Sequence, residues 1–286
     1  MSNNQTVTAG DEMIIRALLG GQNYDLLTPN FKFLHTTFSK TQDVLSLDIM
    51  RLRYEVYCNE CHFLKATDYP DGYESDEYDD NAYHVAARNE DGRTVATARL
   101  VYADVSGKFP FESHCATYDN FVFPDRQSCA EVSRLVVDKG YRRRPGDSMQ
   151  GVAKDFVEKA KVRDIPFQED EAKGKHRRHI SPQILMGMFR QMYQHSRDNG
   201  TYHWFAAMEK GLARSLDRMG FHFTKVGDET DYYGPVAVYY ADLRQLSQNL
   251  KESNEFLSRW FEGEPIGFWL VLKTWVKFKL ESKRKK

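Results

Sequence analysis

The sequence predicts an α/β fold of the α+β kind: a mixed, mostly antiparallel central sheet flanked by helices, with a helical appendage at the C-terminus. Three observations carry this expectation. Segments of strand and helix periodicity follow one another between residues 31 and 241 in the order strand, helix, hairpin, strand, helix, strand, helix, strand pair. The turn Asn89-Glu-Asp-Gly92 joins two β-prone runs into a hairpin, which makes the pair antiparallel. After Asp242 the pattern becomes helical and then basic.

The elements follow in chain order. Residues 1–30 are polar and weakly patterned and read as an N-terminal arm. Phe31–His35 is a short strand. Thr41-Gln-Asp opens a helix on which Leu45, Ile49, Leu52 and Val56 recur at helical spacing. Residues 68–81 form an acidic loop containing Pro and Gly. Tyr83–Arg88 and Thr94–Tyr102 are the hairpin strands, and Glu131–Asp138 is the next strand. It ends at a basic turn, 139–146. Residues 149–180 are a charged insertion. Ser181-Pro182 places a capping hydroxyl and a proline at the start of a helix with Ile184, Met188, Met192 and His195 on one face, ended by Gly200. Thr201–Ala207 is a strand, Glu209–Met219 a helix stopped by Gly220, and Phe221–Val226 with Val236–Ala241 a closing strand pair. Leu243–Phe261 reads as one further helix. The resulting organisation is an arm (1–30), a catalytic-sized domain (31–241) and a C-terminal helix with a basic tail (242–286).

Composition narrows the function classes. The chain has 286 residues, 41% hydrophobic and 28% charged, which suits a globular protein with a sizeable core. A net charge of −1 gives no whole-chain attraction to nucleic acid, and no recognised nucleic-acid module is present, so nucleic acid is not an expected partner. The chain opens without a basic and apolar leader, which leads to the expectation of a cytoplasmic protein. Cys58 and Cys61 form a single C-x-x-C with no second ligand pair, and His176 and His179 belong to no recognised metal-ligand motif. No metal site and no tightly bound cofactor are expected.

The charged motifs carry the chemistry. Arg53 and Tyr57 lie four apart on the first helix, with Phe63 six further on. The acidic loop spells E-x-D-x-Y-D through Glu74, Asp76 and Asp79. Arg99 sits on the hairpin, and Glu131-Val-Ser133-Arg134 spells E-x-S-R on the following strand. This ordered set closely resembles the signature of acyl-homoserine-lactone synthases. Those enzymes have the GNAT fold and acylate an amine from acyl carrier protein. The later segments Lys139-Gly-Tyr-Arg-Arg-Arg, His203-Trp-Phe-Ala-Ala-Met-Glu209 and Leu212-Ala-Arg-Ser-Leu-Asp-Arg-Met-Gly-Phe look like N-acyl amino acid synthases, in particular the acyltransferases associated with PEP-CTERM/exosortase systems. The resemblance spans roughly residues 31–241. It implies a GNAT acyl-transfer fold, an acyl-phosphopantetheine donor on acyl carrier protein or coenzyme A, and a small amine or amino acid as acceptor. It also implies that Arg53, Tyr57, Phe63, Glu74, Asp76, Asp79, Arg99 and Arg134 shape the acceptor pocket.

Acyl transfer to an amine needs a proton acceptor, because an ammonium group cannot attack a thioester. Glu131 is the candidate, on the strand that runs into the basic turn; an ion pair with Arg99 or Arg134 that merely positions the sheet is the alternative. Ser133 shares its strand face and could hold the carboxylate or a water. Arg142, Arg143, Arg144, Gly146 and Ser148 form an R-x-x-G-x-S variant of the GNAT pyrophosphate loop, where backbone amides would cradle phosphate. The same arginines suit an acidic carrier protein. The tail combines Trp269 and Trp275 with many lysines, a composition that suits the surface of an anionic membrane, although its apolar run is shorter than the ~20 residues needed to span one. Two rival functions stay open: acyl-homoserine-lactone synthesis from S-adenosylmethionine, and a non-catalytic acyl-carrier sensor.

Overall fold

A computed structural model describes residues 25, 27–38, 43–103, 106–142 and 181–284. The chain divides into two compact units, one formed by Asn30–Leu246 and the other by Met1–Pro29 with Ser247–Lys286.

The larger unit is built on one mixed sheet. Its strands are β1 (Lys32–Thr36), β2 (Ala82–Arg88), β3 (Thr94–Tyr102), β4 (Cys129–Val137), β5 (His203–Met208), β6 (Thr224–Lys225), β7 (Thr230–Asp231) and β8 (Pro235–Asp242). The order across the sheet is β1-β2-β3-β4-β5-β8-β6, with β7 paired to β8. Every pairing is antiparallel except β4 with β5. The hairpin between β2 and β3 forms as its turn residues dictate, with Gly92 at φ +77°.

Helices α1 (Val44–Tyr54) and α2 (Ser181–Asp198) cover opposite faces. Strand alternation divides the faces. Tyr83 on β2 and Tyr102 on β3 point to α2, where the Tyr83 ring stacks on His195 at 3.6 Å and the Tyr102 hydroxyl bonds His195 Nε2 at 2.8 Å. His84 and Arg99, paired in register, point to the α1 side. Ile184, Met188 and Met192 on α2 are buried as their spacing predicts. Gly187 lets that helix lie directly on β1, because a Cβ there would come within 2.0 Å of the Phe33 ring.

Helix α1 is capped by Asp43, whose carboxylate accepts the Ser46 amide at 2.6 Å; the expected opening residues Thr41 and Gln42 lie outside the described residues. After Tyr54 the helix widens into one π-type turn, Glu55–Glu60, closed by the Cys61 amide donating to Val56 O at 2.8 Å. Helix α3 (Lys210–Arg218) follows β5 and ends at Gly220, φ +93°. The expected strand Phe221–Val226 shrinks to Thr224–Lys225. Phe221 instead donates its amide to Leu216 O and buries its ring as the helix stop.

The smaller unit holds α5 (Glu255–Glu262) and α6 (Phe268–Arg284), with most of α4 (Leu243–Ser253). The single helix expected over Leu243–Phe261 is broken at Asn254, whose side chain caps α5 through the Leu257 amide at 3.1 Å. Gly263 closes α5 at φ +77°. Trp260 Nε1 donates to Asp25 at 2.7 Å, tying the segment before Pro29 to α5. Among the described residues no helix is long and apolar enough to cross a membrane.

Candidate active site

The site lies where β4 and β5 part. Their parallel pairing runs Cys129 to His203, Ala130 to Trp204 and Glu131 to Phe205, and ends there, although β4 continues to Val137 and β5 to Met208. The register of β4 against β3 explains the parting. Between the pairs Thr97–Val136 and Arg99–Ser133, β4 spends one more residue than β3. That extra residue is a β-bulge, and Arg134 within it has φ +50°, a conformation rarely adopted by a residue with a side chain. The bulge turns β4 away from β5. It also places two consecutive side chains, Ser133 and Arg134, on the same side of the sheet, which a regular strand does not do.

The parted strands enclose a cavity of about 480 Å³. One wall is β4 from Glu131 to Val137, and the other is Ala206–Met208 with Leu212 and Leu216 of α3 and Phe189 of α2. Apart from Glu131, Ser133 and Arg134, these lining residues are apolar. Tyr57, Phe63, His114, Tyr232 and Tyr233 also line the cavity. The π-type turn sets the first two, since Tyr57 O accepts the amides of Phe63 and Leu64 at 2.8 and 3.2 Å and so folds Phe63 back toward the Tyr57 ring.

A closed ion network forms the floor beside the cavity. Arg53, 0% exposed, donates to Glu74 and, through two nitrogens, to Asp79 at 2.7 and 3.1 Å. Arg99 donates to Asp79, to both oxygens of Asp76 at 2.6 and 2.8 Å, and through Nε to Ser133 Oγ at 2.9 Å. Arg134 donates to Glu74 at 3.0 Å and Asp76 at 2.8 Å, and lies over the Tyr57 ring at 5.3 Å. Three guanidinium groups thus meet three carboxylates, and the formal charge of the cluster is zero. Burial opposes ionisation of Asp79, but Arg53 and Arg99 outweigh it and hold its carboxyl well below the usual range; Asp76 is lowered in the same way by Arg99 and Arg134. His84 beneath the cluster is pushed down to about 4 by burial against a weaker pull from Asp79, so it is neutral and donates Nε2–H to Asp79 O at 3.1 Å.

Glu131 stands apart from this cluster. It lines the same cavity, is 4% exposed, and accepts the Phe111 amide at 2.9 Å. Among the described residues it forms no ion pair, so the alternative of a positional pair with Arg99 or Arg134 is not the arrangement adopted. Burial pushes its carboxyl up to about 7, against the lesser effects of the Phe111 amide, Arg99 and Arg134.

The structure therefore brings together Arg53, Tyr57, Phe63, Glu74, Asp76, Asp79, Arg99, Glu131, Ser133 and Arg134 around one cavity and its floor. Tyr57 itself is pushed up to about 12, by burial first and despite Arg134. Arg142 lines the cavity with its guanidinium turned inward, donating to Val137 O at 2.5 Å and to Glu60. Arg143, Arg144, Gly146, Ser148 and the insertion 149–180 lie outside the described residues. Residues not anticipated from the sequence are Phe111, which supplies a backbone donor, and His114 and Tyr232, whose rings stack at 4.1 Å. A backbone donor leaves no mark in residue type. The doublet Tyr232-Tyr233 before Gly234 was the one readable signal.

Comparison with known proteins bears on the fold. Residues 52–151 match the acetyltransferase (GNAT) domain. The fold is similar to that of TofI, solved in a ternary complex with an inhibitor and MTA, at a TM-score of 0.51 and 15% identity over 77% of this chain and 96% of that one. It is equally similar to BjaI, a CoA-dependent acyl-homoserine lactone synthase solved with SAM and isopentyl-CoA, at a TM-score of 0.51 and 17% identity over 83% of this chain and 90% of that one. No curated protein matches the chain in sequence. The fold is GNAT-like, and the matched domain indicates an N-acyltransferase.

Proposed function

We propose that the chain transfers a fatty acyl group from a phosphopantetheine thioester, on acyl carrier protein or coenzyme A, to the amine of an amino acid, giving an N-acyl amino acid. The observation that supports this best is Glu131, without an ion pair among the described residues, lining a cavity that also has apolar residues of β4, α2 and α3 and aromatic and charged ones. The apolar lining from β4, α3 and α2 suits an acyl chain. Where β4 and β5 part, neither edge is paired by the other strand, so backbone groups there can hydrogen-bond the amides of pantetheine. The acceptor enters at the rings of Tyr57, Phe63 and Tyr232, beside Arg134 and Asp76. Glu131 takes the proton from the ammonium group, and the free amine attacks the thioester carbonyl through a tetrahedral intermediate that expels the thiol. A carboxyl balanced near neutrality suits that base. Ser133, bonded to Arg99, acts by fixing the floor rather than by taking the proton. The amino acid acceptor rests on the resemblance of the second half of the chain to N-acyl amino acid synthases, including those of PEP-CTERM/exosortase systems.

A second reading, acyl-homoserine-lactone synthesis from S-adenosylmethionine, is favoured by the ligands of the two structural neighbours. One experiment separates the two. The protein is incubated with decanoyl thioesters of acyl carrier protein and of coenzyme A, with a panel of amino acids or S-adenosylmethionine, and thiol release and product mass are followed. The expected result is thiol release with one or more amino acids and the mass of the N-decanoyl adduct. Release of methylthioadenosine with a lactone product favours the second reading. Binding of the acyl carrier without thiol release from any amine contradicts both and points to a sensor.

The product would be an amphiphile, and α6 suits a cytoplasmic protein that works at an anionic membrane face. Phe268, Trp269, Val276 and Leu280 on it are exposed, as are Lys273 and Lys277. The protein is expected to sediment in part with vesicles containing phosphatidylglycerol at low salt and not with phosphatidylcholine vesicles. Equal recovery with both would remove the membrane role.

A further inference from the structure

The turn that supplies the Phe111 amide is itself clamped from behind. Residues Pro110–Ser113 form a single tight helical turn between β3 and β4. Phe109 and Phe111 are buried on one side of it, at 5.9 and 5.6 Å from the Phe205 ring, the residue that pairs with Glu131 across the last rung of β4 and β5. Glu112 faces the other way. Its carboxylate accepts the Phe109 amide at 2.8 Å, which ties off the start of the turn, and receives both terminal nitrogens of Arg126 at 2.7 and 2.8 Å. Arg126 also donates to Gly107 O at 2.7 Å and lies over the Phe123 ring at 4.3 Å. A bidentate guanidinium stacked on an aromatic ring is held in one geometry, unlike a single surface pair. The chain of contacts thus runs from Arg126 to Glu112, to the turn, to the Phe111 amide and to Glu131.

We propose that Arg126 and Glu112 are positioning residues for Glu131: their ion pair fixes the turn so that the Phe111 amide stays on the Glu131 carboxylate and keeps it aimed into the cavity. The significance of this for catalysis rests on the reading of Glu131 as the base, but the positioning itself does not. Arg99, Arg134, Asp76, Tyr232 and Cys115 are among the titratable and charged groups that face Glu131, and His114 lines the same cavity. Glu112 and Arg126 reach Glu131 through the backbone of the turn, by the Phe109 amide on Glu112 and the Phe111 amide on Glu131.

The test follows Glu131 without any substrate. The full-length protein is labelled with ¹³C at the glutamate carboxyl and titrated by NMR, with the Glu131 signal assigned as the one missing in Glu131→Gln. In the wild type its midpoint is expected near 7. Loss of a hydrogen bond to the charged form raises an acid's midpoint, so Arg126→Met should move it up by roughly one pH unit, with Arg126→Lys in between. The Phe111 amide should co-titrate with Glu131 in the wild type and cease to do so in Arg126→Met. If Arg126→Met does not fold, Glu112→Gln carries the same expectation. An unchanged midpoint in a folded variant that is merely less stable would make the pair a structural clamp and overturn the proposal. The base reading fails separately, if Glu131→Gln retains thiol release.

Discussion

Two groups of carboxylates border one cavity and are treated in opposite ways. Glu74, Asp76 and Asp79 are matched one for one by Arg53, Arg99 and Arg134, and each acid is bonded by at least two of those guanidiniums. Glu131, on the same face of the sheet, has one backbone amide and, among the described residues, no cation paired with it. The arginines hold the Asp76 and Asp79 carboxyls below their usual range, which makes them poor proton acceptors. An acid left to burial alone is balanced between its two forms. The difference teaches that the cluster is the frame of the site and the unmatched acid its reactive part.

The largest test breaks the frame. Arg53→Met leaves Asp79 and Glu74 buried with too little compensation and is expected to lower unfolding free energy by about 3–5 kcal/mol in urea titrations. A loss below about 1 kcal/mol would mean that the cluster is not the frame.

The next test reads the unmatched acid through stability. Glu131 has a folded midpoint near 7, above that of an ordinary glutamate, so the folded chain holds its proton longer than the unfolded chain. Its contribution is therefore fully present at pH 4 and is lost as pH rises through 7. Glu131→Gln, which cannot ionise, should be more stable than wild type at pH 8, by up to roughly 3 kcal/mol, with the gap closing below pH 5. A gap of opposite sign at pH 8, with wild type the more stable and the difference lost only on acidification, would place Glu131 among the matched acids.

The smallest expected effect belongs to Ser133. Ser133→Ala removes the partner of a buried Arg99 nitrogen, and should cost about 1.5 kcal/mol while most acyl transfer remains. A loss of transfer comparable with that of Glu131→Gln would move Ser133 from the frame to the reactive part.

Much of this arrangement was legible in the sequence, and what was not has a physical reason. Period and punctuation located the sheet strands and the helices over them, because burial on one face writes itself into residue type. The cluster was legible through the resemblance its charged motifs carry, and the structure gives the reason for it: charges of both signs are tolerated in burial when they pair. The parting of β4 and β5 was not visible, because it depends on a bulge at Arg134, a residue whose type gives no sign of a positive φ. The shortened β6 escaped because Phe221 reads equally well as strand or helix stop. The segment carrying Phe111 and Arg126 lacks periodicity, and its contribution is a backbone amide.

Whether Glu131 accepts the proton of the attacking amine is read by thiol release from a decanoyl thioester by wild type and Glu131→Gln across roughly pH 5.5 to 9, with the amino acid that wild type uses best. The expected result is an acid limb near pH 7 in wild type, a drop of at least about 100-fold at pH 7 in the variant, and partial recovery of the variant at pH 9, where more of the amine is already free. Wild-type rates and the same acid limb in a folded Glu131→Gln would contradict it.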